Sequence, residues 1–327
     1  MARGRRRVRL AVVSVAVTLV VALGVCTGVT AFTLILPARR AEAVPVSTTP
    51  DTCTSHELQM VAHPDDDLLF MNPDIIRQVE AGSCVRTVFL TTGDANRDAS
   101  YWRLREEGIR AAYATMAGAD DSWTLGTLDV EGRELELATL EDAPGISLVF
   151  MHLPDGNRRG TGNAIHGHQS LMRLWLGEID TIDAVDGSET YTSAELRGTL
   201  TALIDDFHTD TLRAQDWTID FRTGDNADHT AAAQYVRAAA AHATHAHELM
   251  GYAGYPSWTQ PANVNGRELG LKADAIMAYA EHDPKMCAHL QCVESLVTAI
   301  RNGRQYVVVA EALDLVADKV LGWPLTE

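Results

Sequence analysis

Apolar runs of strand length alternate along this chain with segments whose apolar positions recur at helical spacing. Leu58–Ala62, Val85–Thr91, Ser147–Leu153 and Thr211–Gln215 are of the first kind, and Pro73–Ala81, Trp102–Met116, Ser193–His208 and Asp228–Met250 of the second. Continuous apolar strands separated by amphipathic helices predict a mostly parallel sheet covered on both faces, hence a three-layer, Rossmann-like α/β fold. In such sheets ligands bind beyond the carboxyl ends of the strands, so polar residues that directly follow a strand are the first candidates for function. Asp155–His168, rich in Gly and polar residues, is the longest clear loop and a candidate rim for a cleft.

The start of the chain breaks this pattern. Arg3, Arg5, Arg6, Arg7 and Arg9 precede Leu10–Leu36, which has no charged side chain. As a helix rising about 1.5 Å per residue, that stretch is long enough to cross a bilayer. Residues 1–37 therefore read as a cytoplasmic Arg cluster and an apolar transmembrane helix, with the rest of the chain outside. Ala41-Glu42-Ala43 has the small-x-small pattern of a cleavage site, so a removed signal segment and a secreted body is the alternative. Residues 38–54, rich in Pro, Ser and Thr, read as a linker, which leaves 55–327 as the folded domain.

Composition narrows the classes. With 46% hydrophobic and 22% charged residues the chain is globular. Its net charge of −17 combines +6 in residues 1–43 with −23 in the remainder. So acidic a body repels phosphates and anionic headgroups, which argues against nucleic-acid binding and favours small neutral or metal-chelated ligands. Of the five cysteines, Cys26 falls in the apolar segment. Cys53, Cys84, Cys287 and Cys292 are an even number, as expected outside the cell, and pair most simply as Cys53–Cys84 and Cys287–Cys292, although other pairings are open. Their spacing suits a Cys-based zinc site poorly.

The strongest chemical signal follows the first strand, where Val61-Ala62-His63-Pro64-Asp65-Asp66-Asp67 brings an imidazole and several carboxylates to its carboxyl end. His63 and Asp66 are candidate ligands of a borderline metal such as zinc. Asp65 would stay unligated and free to take a proton from an attacking water. An Asp-rich turn that only caps the next helix is the plain alternative. A third ligand must come from elsewhere, and His229 opens a helix that follows the strand at Thr211–Gln215, on the same sheet edge. His, Asp and His around one Zn2+ per chain, with a fourth position open, make the site of a catalytic metal.

These residues resemble the PIG-L/LmbE-like zinc-dependent N-acetylglucosaminide de-N-acetylases. The family's A-H-P-D-D-E is matched by Ala62–Asp66, with Asp67 in place of Glu, and the second half of its H-x-D-H by Asp228 and His229. Leu90–Asp94 is similar to the family's second-strand segment, Arg105–Glu107 with Ala111 and Ala112 to its Arg/Glu helix, and Leu153–Asn157 to its L-P-D-G loop. Lys272, Ala275, Tyr279, His282 and Asp283 are similar to its C-terminal helix. The resemblance implies an LmbE-like fold and zinc ligands His63, Asp66 and His229. It implies Asp65 as general base, with Asp228, Asn226 and His282 as further catalytic candidates. Asp94, Arg105, Asp155 and Asn157 become candidates for lining the substrate site. The implied reaction is hydrolysis of the acetamide of an N-acetylated sugar or glycoconjugate. Asn226 stands where the family has the first His of H-x-D-H. An amide donates a hydrogen bond but transfers no proton, so Asp65 or His282 is left to protonate the departing amine.

Other features point elsewhere or nowhere. An extracytoplasmic metallophosphoesterase, with a two-metal pair held by Asp65–Asp67, and a non-catalytic glycan-binding relative are the competing functions. His242, His245 and His247 read as a solvated helical face, and His166 and His168 as passive loop residues. Trp102, Trp123, Trp175, Trp217 and Trp258 read mainly as core. No dinucleotide fingerprint, Walker loop or G-x-S-x-G elbow is present.

Overall fold

The computed structural model describes residues 52–245, 247–286 and 302–313. The Arg cluster, the apolar segment, most of the linker, and Cys287 and Cys292 lie outside them. Among the described residues no helix is long and apolar enough to cross a membrane.

Each predicted strand forms: β1 (His56–Val61), β2 (Cys84–Thr91), β5 (Ile146–Leu153) and β8 (Thr211–Gln215). β1 is central, pairing in parallel with β2 on one side and β8 on the other, and β2 pairs in parallel with β5. Side chains on these strands alternate between two apolar clusters. Leu58, Met60, Val88, Leu90, Val149 and Met151 join one, packed under α4 (Ser193–Asp206) and α5 (Ala227–Ala240). Val61, Val85, Phe89, Leu148 and Phe150 join the other, under α2 (Ala99–Ala117) and α6 (Gly266–Ala280). That two-sided burial is the three-layer arrangement the continuous apolar runs predict.

Two stretches depart from expectation. The helix over Asp228–Met250 stops at Ala240, and His247–Tyr252 is a further strand, β9, parallel to β8. The break has a tertiary cause: Asp205 Oδ1, at the end of α4, accepts Thr244 N at 2.7 Å and holds the turn. His242, His245 and His247 therefore share no helical face. His242 Nδ1 lies 2.7 Å from Ala238 O, His245 is exposed beside His208, and His247 is buried at the start of β9. Residues 117–146, which carried no assignment, contain the hairpin of β3 (Trp123–Val130) and β4 (Arg133–Leu140), whose outer strand ends the sheet. β4 pairs antiparallel with β5, and β10 (Val307–Leu313) antiparallel with β9. The full order is β10-β9-β8-β1-β2-β5-β4-β3, with β6 (Thr181–Asp183) and β7 (Thr190–Thr192) a separate ribbon. The chain runs from β1 to β2 on one side and from β8 to β9 on the other, so the β1/β8 boundary is the switch point where a ligand crevice forms. Cys53 and Cys84 are joined in a disulfide that ties the entry of β1 to the first residue of β2.

Candidate active site

The chain turns as soon as β1 ends. Asp66 N donates to His63 O at 3.2 Å, and Asp66 Oδ2 accepts from His63 N at 2.7 Å, so the acid closes a turn over its own imidazole. Asp67–Met71 continues as one π-helical turn, fastened by buried Lys272, whose Nζ donates to Leu69 O and Asn72 O at 2.7 and 2.9 Å. Asp65 sits at φ 147°, a backbone conformation that L side chains rarely adopt.

The start of α5 meets this turn. His229 Nε2 is 3.0 Å from Asp66 Oδ1, and its Nδ1 is 2.9 Å from Asp225 Oδ1. His63 Nδ1 is 3.1 Å from Asp66 Oδ2, and its Nε2 is 3.4 Å from Asp228 Oδ2. One donor atom from each of His63, Asp66 and His229 lies within 4.8 Å of the others, and all three residues are buried. The three candidate ligands, 166 positions apart in sequence at their extremes, are thus brought together.

Hydrogen bonding leaves this group incomplete. If Nδ1–H of a neutral His229 serves Asp225, its buried Nε2 offers only a lone pair; that lone pair faces a carboxylate oxygen and has no hydrogen-bond partner among the described residues. Two buried acceptors at that separation require a cation, a proton or a metal. Two imidazoles and a carboxylate suit zinc or a similar divalent ion, and Asp225 and Asp228 are placed to orient the two rings from behind. With no metal, burial disfavours charge on both imidazoles, but the surrounding carboxylates outweigh it. Asp66 and Asp225 raise His229 to about 9, and Asp66 and Asp228 hold His63 well above its usual value. Burial likewise opposes ionisation of Asp66, but the two imidazoles hold it well below the usual carboxylate range.

Asp65 points away from that group. Its Oδ1 pairs with Arg105 Nη2 at 2.8 Å, and Arg105 also donates to Pro64 O, Gly93 O and Tyr279 Oη at 2.8, 2.6 and 2.6 Å. Gly93, at φ 55°, is required there, because a side chain would collide with the guanidinium. Burial raises Asp65 to about 6 against the pull of Arg105. Asp67, the replacement for the family's Glu, turns towards α2 and accepts from Tyr113 Oη at 2.7 Å, and burial raises it to about 7.

The remaining candidates separate into near and far. Asn226 is the N-cap of α5, its Oδ1 accepting Asp228 N at 3.0 Å, and its Nδ2 has no acceptor among the described residues. Asp228 Oδ2 also accepts Gly156 N at 2.7 Å, which docks the Leu153–Asn157 loop against the site. Asp94 and Asp155 brace the same loop: Asp94 accepts Asp155 N at 3.0 Å, and Asp155 accepts Ala95 N at 3.1 Å. Asn157 ties the loop internally, donating to Gly162 O. His166 Nε2 lies 3.1 Å from Asp94, and His168 Nδ1 lies 3.3 Å from Gly162 O. His282 is not brought to the site. It is half-exposed, 3.7 Å from Glu107, in a groove with Trp123 and Leu125, while its neighbour Asp283 turns inward to Arg105 and Tyr279. Sequence reasoning missed Asp225 as the partner of His229. It also missed Tyr255, whose ring lies 5.1 Å from that of His229 and 4.6 Å from Trp258.

A search of curated proteins finds no match. Among solved structures, a conserved protein from Thermus thermophilus is similar over 69% of this chain and 78% of its own, at 18% identity and a TM-score of 0.40. The N,N'-diacetylchitobiose deacetylase from Pyrococcus horikoshii is similar over 76% of each chain, at 14% identity and a TM-score of 0.43. The A40926 pseudoaglycone deacetylase is similar over 75% of this chain and 86% of its own, at 11% identity and a TM-score of 0.41. The PIG-L family model, described as GlcNAc-PI de-N-acetylase, matches residues 58–240, the span that contains most of β1, the turn after it and α5, and the chain belongs to that family.

Proposed function

We propose that this protein is a zinc-dependent de-N-acetylase that hydrolyses the acetamide of an N-acetylglucosaminide-type sugar outside the cytoplasm. The observation that carries the reading is the buried group formed by His63, Asp66 and His229, where an imidazole nitrogen faces a carboxylate oxygen at 3.0 Å, beside an Asp that is held apart from it. His63, Asp66 and His229 would hold one Zn2+. When bound, a zinc ion lowers the pKa of water and polarises a carbonyl. Asp65, one oxygen fixed by Arg105, has the other available to take the proton of the attacking water. Asn226 Nδ2 supplies a hydrogen-bond donor to the oxygen of the tetrahedral carbon. Since His282 faces Glu107, return of the proton to the departing amine falls to Asp65. Tyr255, half-buried beside His229, and Trp258, half-buried beside Tyr255, offer an aromatic wall for a sugar ring.

Extracytoplasmic placement is supported by the Arg cluster, the uncharged segment Leu10–Leu36 and the Cys53–Cys84 disulfide, which fits an oxidising compartment. A two-metal phosphoesterase has one observation in its favour, a second acidic group of His63, Asp155 and Asp228. That group shares His63 with the first, and a neutral imidazole has one lone pair to give, so both cannot be filled through it.

The test is acetate release from a panel of N-acetylglucosaminides with and without chelator. The reading expects release that chelation abolishes and zinc restores. Binding of these sugars without release would make the protein a glycan-binding relative, and release that chelator leaves unchanged would remove the metal from the account.

A further inference from the structure

A cavity of about 630 Å³ is lined by Arg158, Arg159, Thr161, Arg222, Gly224 and Asp225. Asp225 is the residue that holds His229 Nδ1, so this cavity abuts the candidate site through one side chain. Its charge is opposite to that of the body, which carries −23 over residues 44–327. Several arginines elsewhere are matched by acids: Arg77 by Asp74 and Glu268, Arg103 by Glu106 and Glu136, Arg237 by Glu311. Arg158, Arg159 and Arg222 have no carboxylate at ion-pair distance among the described residues.

The cavity wall is built. Ala227 N, in the first turn of α5, donates to Arg158 O at 3.1 Å, and Arg222 Nε donates to Arg159 O at 3.0 Å. Ser170 Oγ donates to Gly160 O at 2.7 Å. Gly160 and Gly162, at φ 70° and 71°, admit no side chain, since a Cβ would collide with Met172 or with the His168 backbone. The backbone is pinned while the three arginine residues stay exposed. Guanidinium forks match phosphate and carboxylate oxygens, and a local excess of cations is what an anion needs to approach so acidic a body.

We infer that the substrate carries an anionic substituent, a phosphate or carboxylate on or next to the N-acetylated sugar, and that Arg158, Arg159 and Arg222 form its subsite. The inference rests on the de-N-acetylase reading and narrows its substrate class. It also revises the expectation of a neutral ligand drawn from net charge.

Binding of N-acetylglucosamine 1-phosphate, N-acetylglucosamine and inorganic phosphate is to be measured by calorimetry on the chelator-treated full chain, where the phosphate meets no cation. The phosphorylated sugar should bind at least about tenfold more tightly than the neutral sugar, and about 0.5 M salt should erode the difference. An Arg158→Gln/Arg159→Gln/Arg222→Gln variant, its fold checked by circular dichroism, should bring the two sugars within about twofold. Arg267→Gln, which removes a charge already paired with Glu80, should preserve the preference. Absence of a preference, its survival in the triple variant, or inorganic phosphate binding as tightly as the phosphorylated sugar would overturn the subsite. Acetate release separates the two readings. Release from neutral glycosides with no phosphate preference sinks the subsite alone, whereas phosphate-dependent sugar binding without any release sinks the deacetylase alone.

Discussion

Two separate His-and-carboxylate groups lie among the described residues, and their ring nitrogens are served differently. In the first, His63, Asp66 and His229 gather at the end of β1. In the second, His152, Glu106 and Glu136 gather where β5 ends beside α2. His152 Nε2 is 2.8 Å from Glu106 and its Nδ1 2.9 Å from Asp186, while Arg103 bridges Glu106 and Glu136 at 2.9 and 2.8 Å. Both ring nitrogens and the shared carboxylates are committed, so an imidazolium and a guanidinium complete the second group. In the first, no described arginine reaches Asp66, and the 3.0 Å between His229 Nε2 and Asp66 Oδ1 is bridged only by a proton or a metal ion. Ligand types alone do not distinguish a metal site from an ion-pair network; the atoms left over do.

The comparison yields graded expectations. His229→Ala should abolish metal binding and reduce acetate release by at least about 10³-fold, because it removes a ligand from the group that needs a cation. Metal content and turnover, assayed together, check this. His152→Ala should leave metal content alone and lower stability by about 3 kcal/mol in denaturant unfolding, since it removes a buried imidazolium that pairs with both Glu106 and Asp186. Asp225→Asn still accepts from His229 Nδ1 but without charge, so zinc affinity by competitive chelation should fall about tenfold, without abolition.

A smaller effect concerns pH. Burial opposes charge on His152, but its carboxylate partners win and raise it to about 9. A raised histidine contributes stability that is complete below its unfolded value of about 6.5 and is lost as pH rises through about 9. Thermal unfolding should therefore show a decline over that interval that is smaller in His152→Gln, where His229, likewise raised to about 9 in the metal-free protein, still contributes. Smallest of all, His282→Ala should change acetate release by less than about twofold, since the side chain faces Glu107. A large loss would return His282 to the chemistry.

Much of this was legible in the chain. The apolar runs at β1, β2, β5 and β8 are buried on both faces, and such strands announce themselves without help from their neighbours. The His63–Asp67 turn and His229 were legible because each directly follows or opens an element at the same sheet edge. β9 was hidden, because Ala-rich α5 runs into it with no Gly or Pro between and the stop is made by Asp205, distant in sequence. The β3–β4 hairpin has a weak local signal, the Glu131-Gly132 pair between two runs of strand length, and in the structure both residues take positive φ at its turn. Asp225 was not legible as a partner of His229, because an Asp before a helix reads equally as a cap. In fact Asn226 caps the helix and leaves Asp225 free for the imidazole.

The account turns on which of the acidic groups accepts the ion, and an anomalous-difference map from crystals of the zinc-loaded protein, recorded at the zinc edge, answers that most directly. One peak per chain enclosed by His63, Asp66 and His229 is the result predicted. A peak at His152, Glu106 and Glu136, a peak at His63, Asp155 and Asp228, or a structure that takes up no zinc at all would contradict it.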